Sequence, residues 1–93
     1  MPRKILTKAG FERAYRRLSE SDQRLVDEAL RHFGDYLQTG QAPVGLGIKH
    51  LGSRTYEFRA SLGLRVVYVT AGETIYVALL DSHDEVRRYL KRH

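Results

Sequence analysis

Arg59 and Arg65 are spaced to meet across a hairpin. Residues 55–60 alternate apolar with polar positions, as half-buried strands do, residues 64–70 set Leu64, Val66 and Tyr68 against Arg65, Val67 and Val69, and Ser61-Leu62-Gly63 lies between them. A three-residue turn there puts Arg59 opposite Arg65, on the face away from Tyr56, Phe58, Leu64, Val66 and Tyr68. Like charges directly opposite each other destabilise a sheet. An anion held between them removes the conflict, and two guanidiniums suit the oxygens of a phosphate. The alternative is a pair of solvated arginines, with Glu57 near enough to neutralise one. Histidine supplies the second kind of chemistry. His83, in Asp81-Ser82-His83-Asp84, follows the last apolar run and could give or take a proton at neutral pH. Equally, Ser82 or Asp84 could start a helix there and leave His83 in solvent. His50, beside Lys49, is a second proton-transfer candidate. His32 and His93 read as surface groups.

Other chemistries have little to build on. There is no cysteine, so a disulfide framework, a thiolate metal site and a cysteine nucleophile are excluded. The four histidines show no paired ligand spacing, so no metal site is expected, and no cofactor pattern is complete. Gly45-Leu46-Gly47 hints at a phosphate cradle but completes neither a dinucleotide nor a P-loop pattern, and no helical pattern follows it. No serine sits in a nucleophile elbow. Near the C-terminus, Arg87, Arg88, Lys91 and Arg92 form either a solvated face or a phosphate-backbone contact. Tyr89 among them could stack on a base or pack the last helix onto the sheet.

These side chains need a scaffold, and the spacing predicts one. Residues 3–8 read as a short first strand. Phe11, Ala14, Tyr15 and Leu18 follow helical spacing, with Arg13, Arg16 and Arg17 on the other side. Ser19, with Asp22 three residues on, reads as a cap that starts a second helix. Val26, Ala29, Leu30, Phe33 and Leu37 form its stripe, and Gly40 is its stop. The glycine-rich stretch 40–54 reads as loop. Strands at 55–60, 64–70 and 74–80 follow, the last apolar on both faces as a central strand should be. Residues 84–93 read as a short basic helix. The order β-α-α-β-β-β-α gives an α+β fold, with the two helices on one face of a small, mostly antiparallel sheet. The expected core is Phe11, Tyr15, Leu18, Phe33, Tyr56, Phe58, Val66 and Tyr68.

The whole chain of 93 residues reads as a single domain, 1–93. With 42% hydrophobic and 29% charged residues the composition is globular rather than disordered. The formal net charge is +5, which points to a polyanionic partner, nucleic acid first and an acidic protein second. The N-terminal residues turn polar at Thr7, so no secretory segment is expected. No apolar run approaches the roughly 20 residues of a membrane span. A cytoplasmic protein without a membrane partner is expected.

Several of these segments together resemble one family. They are Lys49-His50-Leu51-Gly52, Tyr56-Glu57-Phe58-Arg59, Leu64-Arg65-Val66-Val67-Tyr68, Ile75 to Leu80 and His83-Asp84-Glu85-Val86. The sequence resembles the RelE/ParE toxin superfamily of bacterial type II toxin–antitoxin systems. The resemblance implies two helices on one face of the sheet and a basic face opposite. In the RelE-like branch it implies a ribosome-dependent mRNA endoribonuclease without a cofactor, in which a 2′-hydroxyl attacks the adjacent phosphate. Arg59 and Arg65 would then hold the phosphate, His83 would be the general acid and His50 the base. Lys49, Arg54, Arg87, Arg88 and Tyr89 would hold the RNA. One branch uses a glutamate in the preceding loop as base; here that loop reads Val44-Gly45-Leu46-Gly47 and offers none. The implied partners are mRNA in the ribosomal decoding site and a cognate antitoxin with an acidic, partly disordered segment. Two alternatives remain within the family: a ParE-like toxin that inhibits gyrase, and an inactive module that only binds an antitoxin.

Overall fold

A computed structural model describes residues 4–81. The expected helix at 84–93, and with it His83, Arg87, Arg88 and Tyr89, lies outside the described residues. The longest element is set by its two ends. Ser19 takes an extended backbone, and its hydroxyl accepts a hydrogen bond from the Asp22 N–H at 3.2 Å. This satisfies one of the free donors of a helix start. The helix, α2, runs Glu20–Thr39. It ends at Gly40, whose N–H still donates to the Tyr36 carbonyl and whose φ of 77°, open to glycine at little cost, turns the chain out of the helix. Val26, Ala29 and Phe33 form the buried stripe.

Before it stands α1, Ala9–Arg16, which buries Phe11 and half-buries Ala14 and Tyr15. The two helices are tied by the Tyr15 hydroxyl, which donates to Asp27 Oδ1 at 2.7 Å. That hydrogen bond, followed by burial and the charge of Asp27, raises the phenol pKa above its ordinary 10.0. A raised folded-state pKa gives stability that is whole below the unfolded pKa and lost as pH rises through the folded one. Thermal unfolding measured across about pH 9–12 should therefore show an alkaline loss of stability. Tyr15→Phe should remove that step and leave the unfolding of the remaining tyrosines.

Five strands form one sheet: β1 (Lys4–Thr7), β2 (Lys49–Gly52), β3 (Thr55–Ser61), β4 (Leu64–Ala71) and β5 (Thr74–Asp81). Their order is β1-β5-β4-β3-β2. Among the described strands only the β1–β5 pairing is parallel, because α1 and α2 intervene along the chain while the hairpins join the rest. α1 packs on β5 and α2 on β3. Phe33 sits between them and the sheet, its ring 4.6 Å from Phe58 and 4.5 Å from Tyr68. Around it lie Phe11, Val26, Leu46, Val66, Ile75, Val77 and Leu80, all buried. Tyr15, Leu18 and Tyr56, expected in the core, pack against it while staying partly exposed.

The α+β architecture and the helix-helix-strand order are as the spacing predicts. The segment 40–54 is a correction, since its last part is the edge strand β2 and Leu46 is core. A four-residue edge strand flanked by glycines needs no apolar alternation, so the sequence carried little sign of it. Among the described residues no helix is long and apolar enough to cross a membrane.

Candidate phosphate site on the sheet face away from the helices

The hairpin β3–β4 brings Arg59 and Arg65 into register as a direct cross-strand pair. The route differs from the three-residue turn expected. Ser61 pairs with Leu64, so the turn is Leu62-Gly63, and a bulge at Ala60 absorbs one residue before Arg59 meets Arg65. Without that bulge, regular pairing from Ser61–Leu64 would set Arg59 against Val66 and turn it toward the core. The bulge therefore keeps both arginines on the face opposite Phe58 and Val66.

The two guanidiniums differ in surroundings. Arg59 is exposed. Its N–H donates to the Leu46 carbonyl at 2.7 Å, which continues the ladder beyond β2 and is anchored by the buried Leu46 side chain. The Arg59 side chain lies over Gly47, where a Cβ would stand 3.6 Å from Nε. Gly47 has a φ of 61°, so any other residue would be strained there, although a Cβ would make only ordinary contact with the guanidinium. The glycine loop thus supports Arg59, a role its sequence pattern did not announce. Arg65 is half-buried, and its Nε is buried with no hydrogen-bond partner. In register on its other side is Asp81.

One step along the same face lies Glu57, paired with Val67 on β4 and with Lys49 on β2. Glu57 is only 4% exposed, and its Oε2 is buried without a partner. The sequence offered Glu57 only as a surface neutraliser of one arginine. Its burial was not legible, because alternation alone does not say how deep a polar position sits.

The remaining candidates fall elsewhere. Lys49 is exposed and stands across from Glu57, on the arginine face. His50 does not join them. It pairs with Tyr56, its ring lies 4.7 Å from that ring, and its Nε2 is 2.7 Å from the Ser53 carbonyl oxygen. The pleat puts adjacent residues on opposite faces, so Lys49 on one face means His50 on the other. The expectation of His50 as the base beside the arginine pair is corrected by that register. Arg54 is exposed at the β2–β3 turn, five residues from Arg59, which is roughly 17 Å along a strand. It is therefore remote from the pair.

A hollow of about 210 Å³ opens between α2 and the loop, lined by Leu25, Glu28, His32, Val44, Leu46 and Ala60 among others. It lies on the helix side and shares Arg59 and Leu46 with the site above.

No family model matches the sequence, and no curated protein matches it. Solved structures do. The RelB–RelE antitoxin–toxin complex from Methanococcus jannaschii superposes with a TM-score of 0.68 at 13% identity, covering 90% of this chain and 96% of that one. The YoeB dimer from Staphylococcus aureus gives 0.68 at 17% identity, covering 89% and 99%. The DinJ–YafQ complex from E. coli gives 0.64 at 13% identity, covering 90% and 97%. At such identities the likeness is one of fold, and the fold is that of the RelE-like toxins.

Proposed function

We propose that this chain is the toxin of a type II toxin–antitoxin pair and cuts mRNA in the ribosomal decoding site. The observation that carries the reading is the Arg59–Arg65 pair, set opposed by a bulge on the face away from the helices, with the Arg65 Nε buried and unpartnered. A like-charge pair of this kind gains nothing for the sheet and suits a bound phosphate. The toxin fold supports the same reading.

The chemistry is transesterification. The ribose 2′-oxygen forms a bond to the adjacent phosphorus, and the bond from phosphorus to the 5′-oxygen breaks. The 2′-hydroxyl proton passes to a base, and the departing 5′-oxygen takes one from an acid. The products are a 2′,3′-cyclic phosphate and a 5′-hydroxyl. Arg59 and Arg65 neutralise the crowded phosphate as negative charge builds on it. His83 is assigned as the acid, on its residue type and its place two positions after β5. Lys49 guides the RNA strand along the same face, and Arg54, Arg87, Arg88 and Tyr89 are assigned to more distant backbone and base contacts.

Primer extension on a reporter mRNA after brief induction tests this. New 5′ ends within translated codons are expected, and they should vanish in a variant carrying Arg65→Ala and His83→Gln together. Intact message in arrested cells would overturn the nuclease in favour of a gyrase inhibitor. Intact message without arrest would leave a binding module.

The partner is an antitoxin with an acidic segment, as the net charge of +5 favours. The relatives in fold include toxins solved with RelB and DinJ. Affinity for the antitoxin should weaken steeply with added salt, because the Debye length shrinks from about 10 Å at 0.1 M to about 3 Å at 1 M. Titration calorimetry at several salt concentrations checks this, and a salt-insensitive affinity would count against an electrostatic interface.

A further inference from the structure

We infer that Glu57 is the acceptor for a ribose 2′-hydroxyl, so that this sheet face recognises a ribonucleotide rather than a phosphate alone. The inference rests on the proposal that the face binds RNA, and it adds the group that reads the sugar.

Among the described residues two buried polar atoms on one face lack partners, and they are opposite in kind. Glu57 Oε2 can only accept, and Arg65 Nε can only donate. A buried polar atom without a partner is costly, and few folded domains keep such atoms without a reason. Both being left over within one patch asks for one ligand that supplies both partners. Glu57 pairs with Val67 while Arg59 pairs with Arg65, so Glu57 and Arg65 are diagonal neighbours. Such neighbours lie roughly 7–8 Å apart along the backbone, within reach of long side chains.

The ligand must therefore carry a donor close beside an anionic acceptor. A ribose 2′-hydroxyl next to its 3′-phosphate has that pattern; a deoxyribose phosphodiester lacks the donor. The 2′-hydroxyl is also the group by which a site distinguishes RNA from DNA. The exposure gradient agrees with this order. Arg59 is exposed, Arg65 half-buried and Glu57 buried, so the phosphate meets the arginines before the sugar reaches the carboxylate. Repulsion between the carboxylate and the phosphate is outweighed by Arg59, Arg65 and the facing Lys49. His50, the other candidate near this strand, is on the wrong face to compete. In cleavage, the same contact would let the 2′-hydroxyl proton move to Oε2 as the oxygen bonds to phosphorus.

The test uses ligands that cannot be cut. Binding of adenosine 3′-phosphate and of 2′-deoxyadenosine 3′-phosphate is followed by NMR titration on the full chain. The wild type should prefer the ribonucleotide by about tenfold, the lower end for a hydrogen bond to a charged group. Glu57→Leu should abolish the preference while retaining affinity for the deoxynucleotide, and a thermal melt shows that it is folded. Glu57→Gln keeps an acceptor oxygen and should keep part of the preference. Equal binding of the two nucleotides by the wild type, no binding of either, or an unchanged preference in a folded Glu57→Leu protein would overturn the assignment. Ribose preference with intact message in cells would sink the nuclease and leave the ribose site standing. Cleaved message without ribose preference would do the reverse.

Discussion

Arg65→Ala should lower mRNA cleavage by about 10²–10³-fold, the usual loss when one donor to a developing oxyanion is removed. The fold should survive. Arg65 is half-buried, and its Nε holds no hydrogen bond that the substitution would break. Removing it also relieves the repulsion from Arg59 across the hairpin. A melting temperature close to wild type, beside lost cleavage, is therefore the expected pair of results. Arg59→Ala should cost less in cleavage, because the Arg59 side chain is exposed and its charge is better screened. Arg65→Lys separates charge from geometry: a lysine keeps the charge but not the planar fork, so only partial activity should return. Single-turnover cleavage on programmed ribosomes measures all three. A folded Arg65→Ala protein that cuts at the wild-type rate would remove Arg65 from the chemistry.

The arginine pair was legible in the sequence because alternation fixes faces and a short turn fixes register. Its route was not, since a two-residue turn with a bulge and a three-residue turn give the same Arg59–Arg65 partners. The caps of α2 were legible for a similar reason: Ser19 and Gly40 act through local backbone geometry that residue type alone controls. The edge strand β2 was hidden, because its glycines read as loop and its order comes from pairing with β3. The face of His50 was hidden with it. A stretch that reads as loop has no pleat to say that Lys49 and His50 part company. The burial of Glu57 is a third kind of failure. Position on a face is a matter of parity, but depth depends on what the rest of the chain lays over that face, and no local pattern carries it.

Phe33→Ala should destabilise the domain by about 3–5 kcal/mol, the typical cost of deleting a buried aromatic ring. Phe33 is fully buried, and its ring meets both Phe58 and Tyr68, so the cavity would open at the junction of α2 with β3 and β4. A chain of 93 residues has roughly 5–14 kcal/mol of stability in total, so the loss takes a large share of it. Urea unfolding should show a much lower midpoint with an unchanged slope, the sign of lost stability rather than an altered denatured state. The functional consequence separates scaffold from site. Phe58 and Tyr68 lie on the same two strands as Arg59 and Arg65 but project from the opposite face. Cleavage by Phe33→Ala should therefore fall only with the folded fraction at the assay temperature and recover on cooling, whereas the loss in Arg65→Ala should persist at every temperature where that protein is folded. A Phe33→Ala protein that is folded yet inactive would mean that the core packing itself sets the arginine geometry.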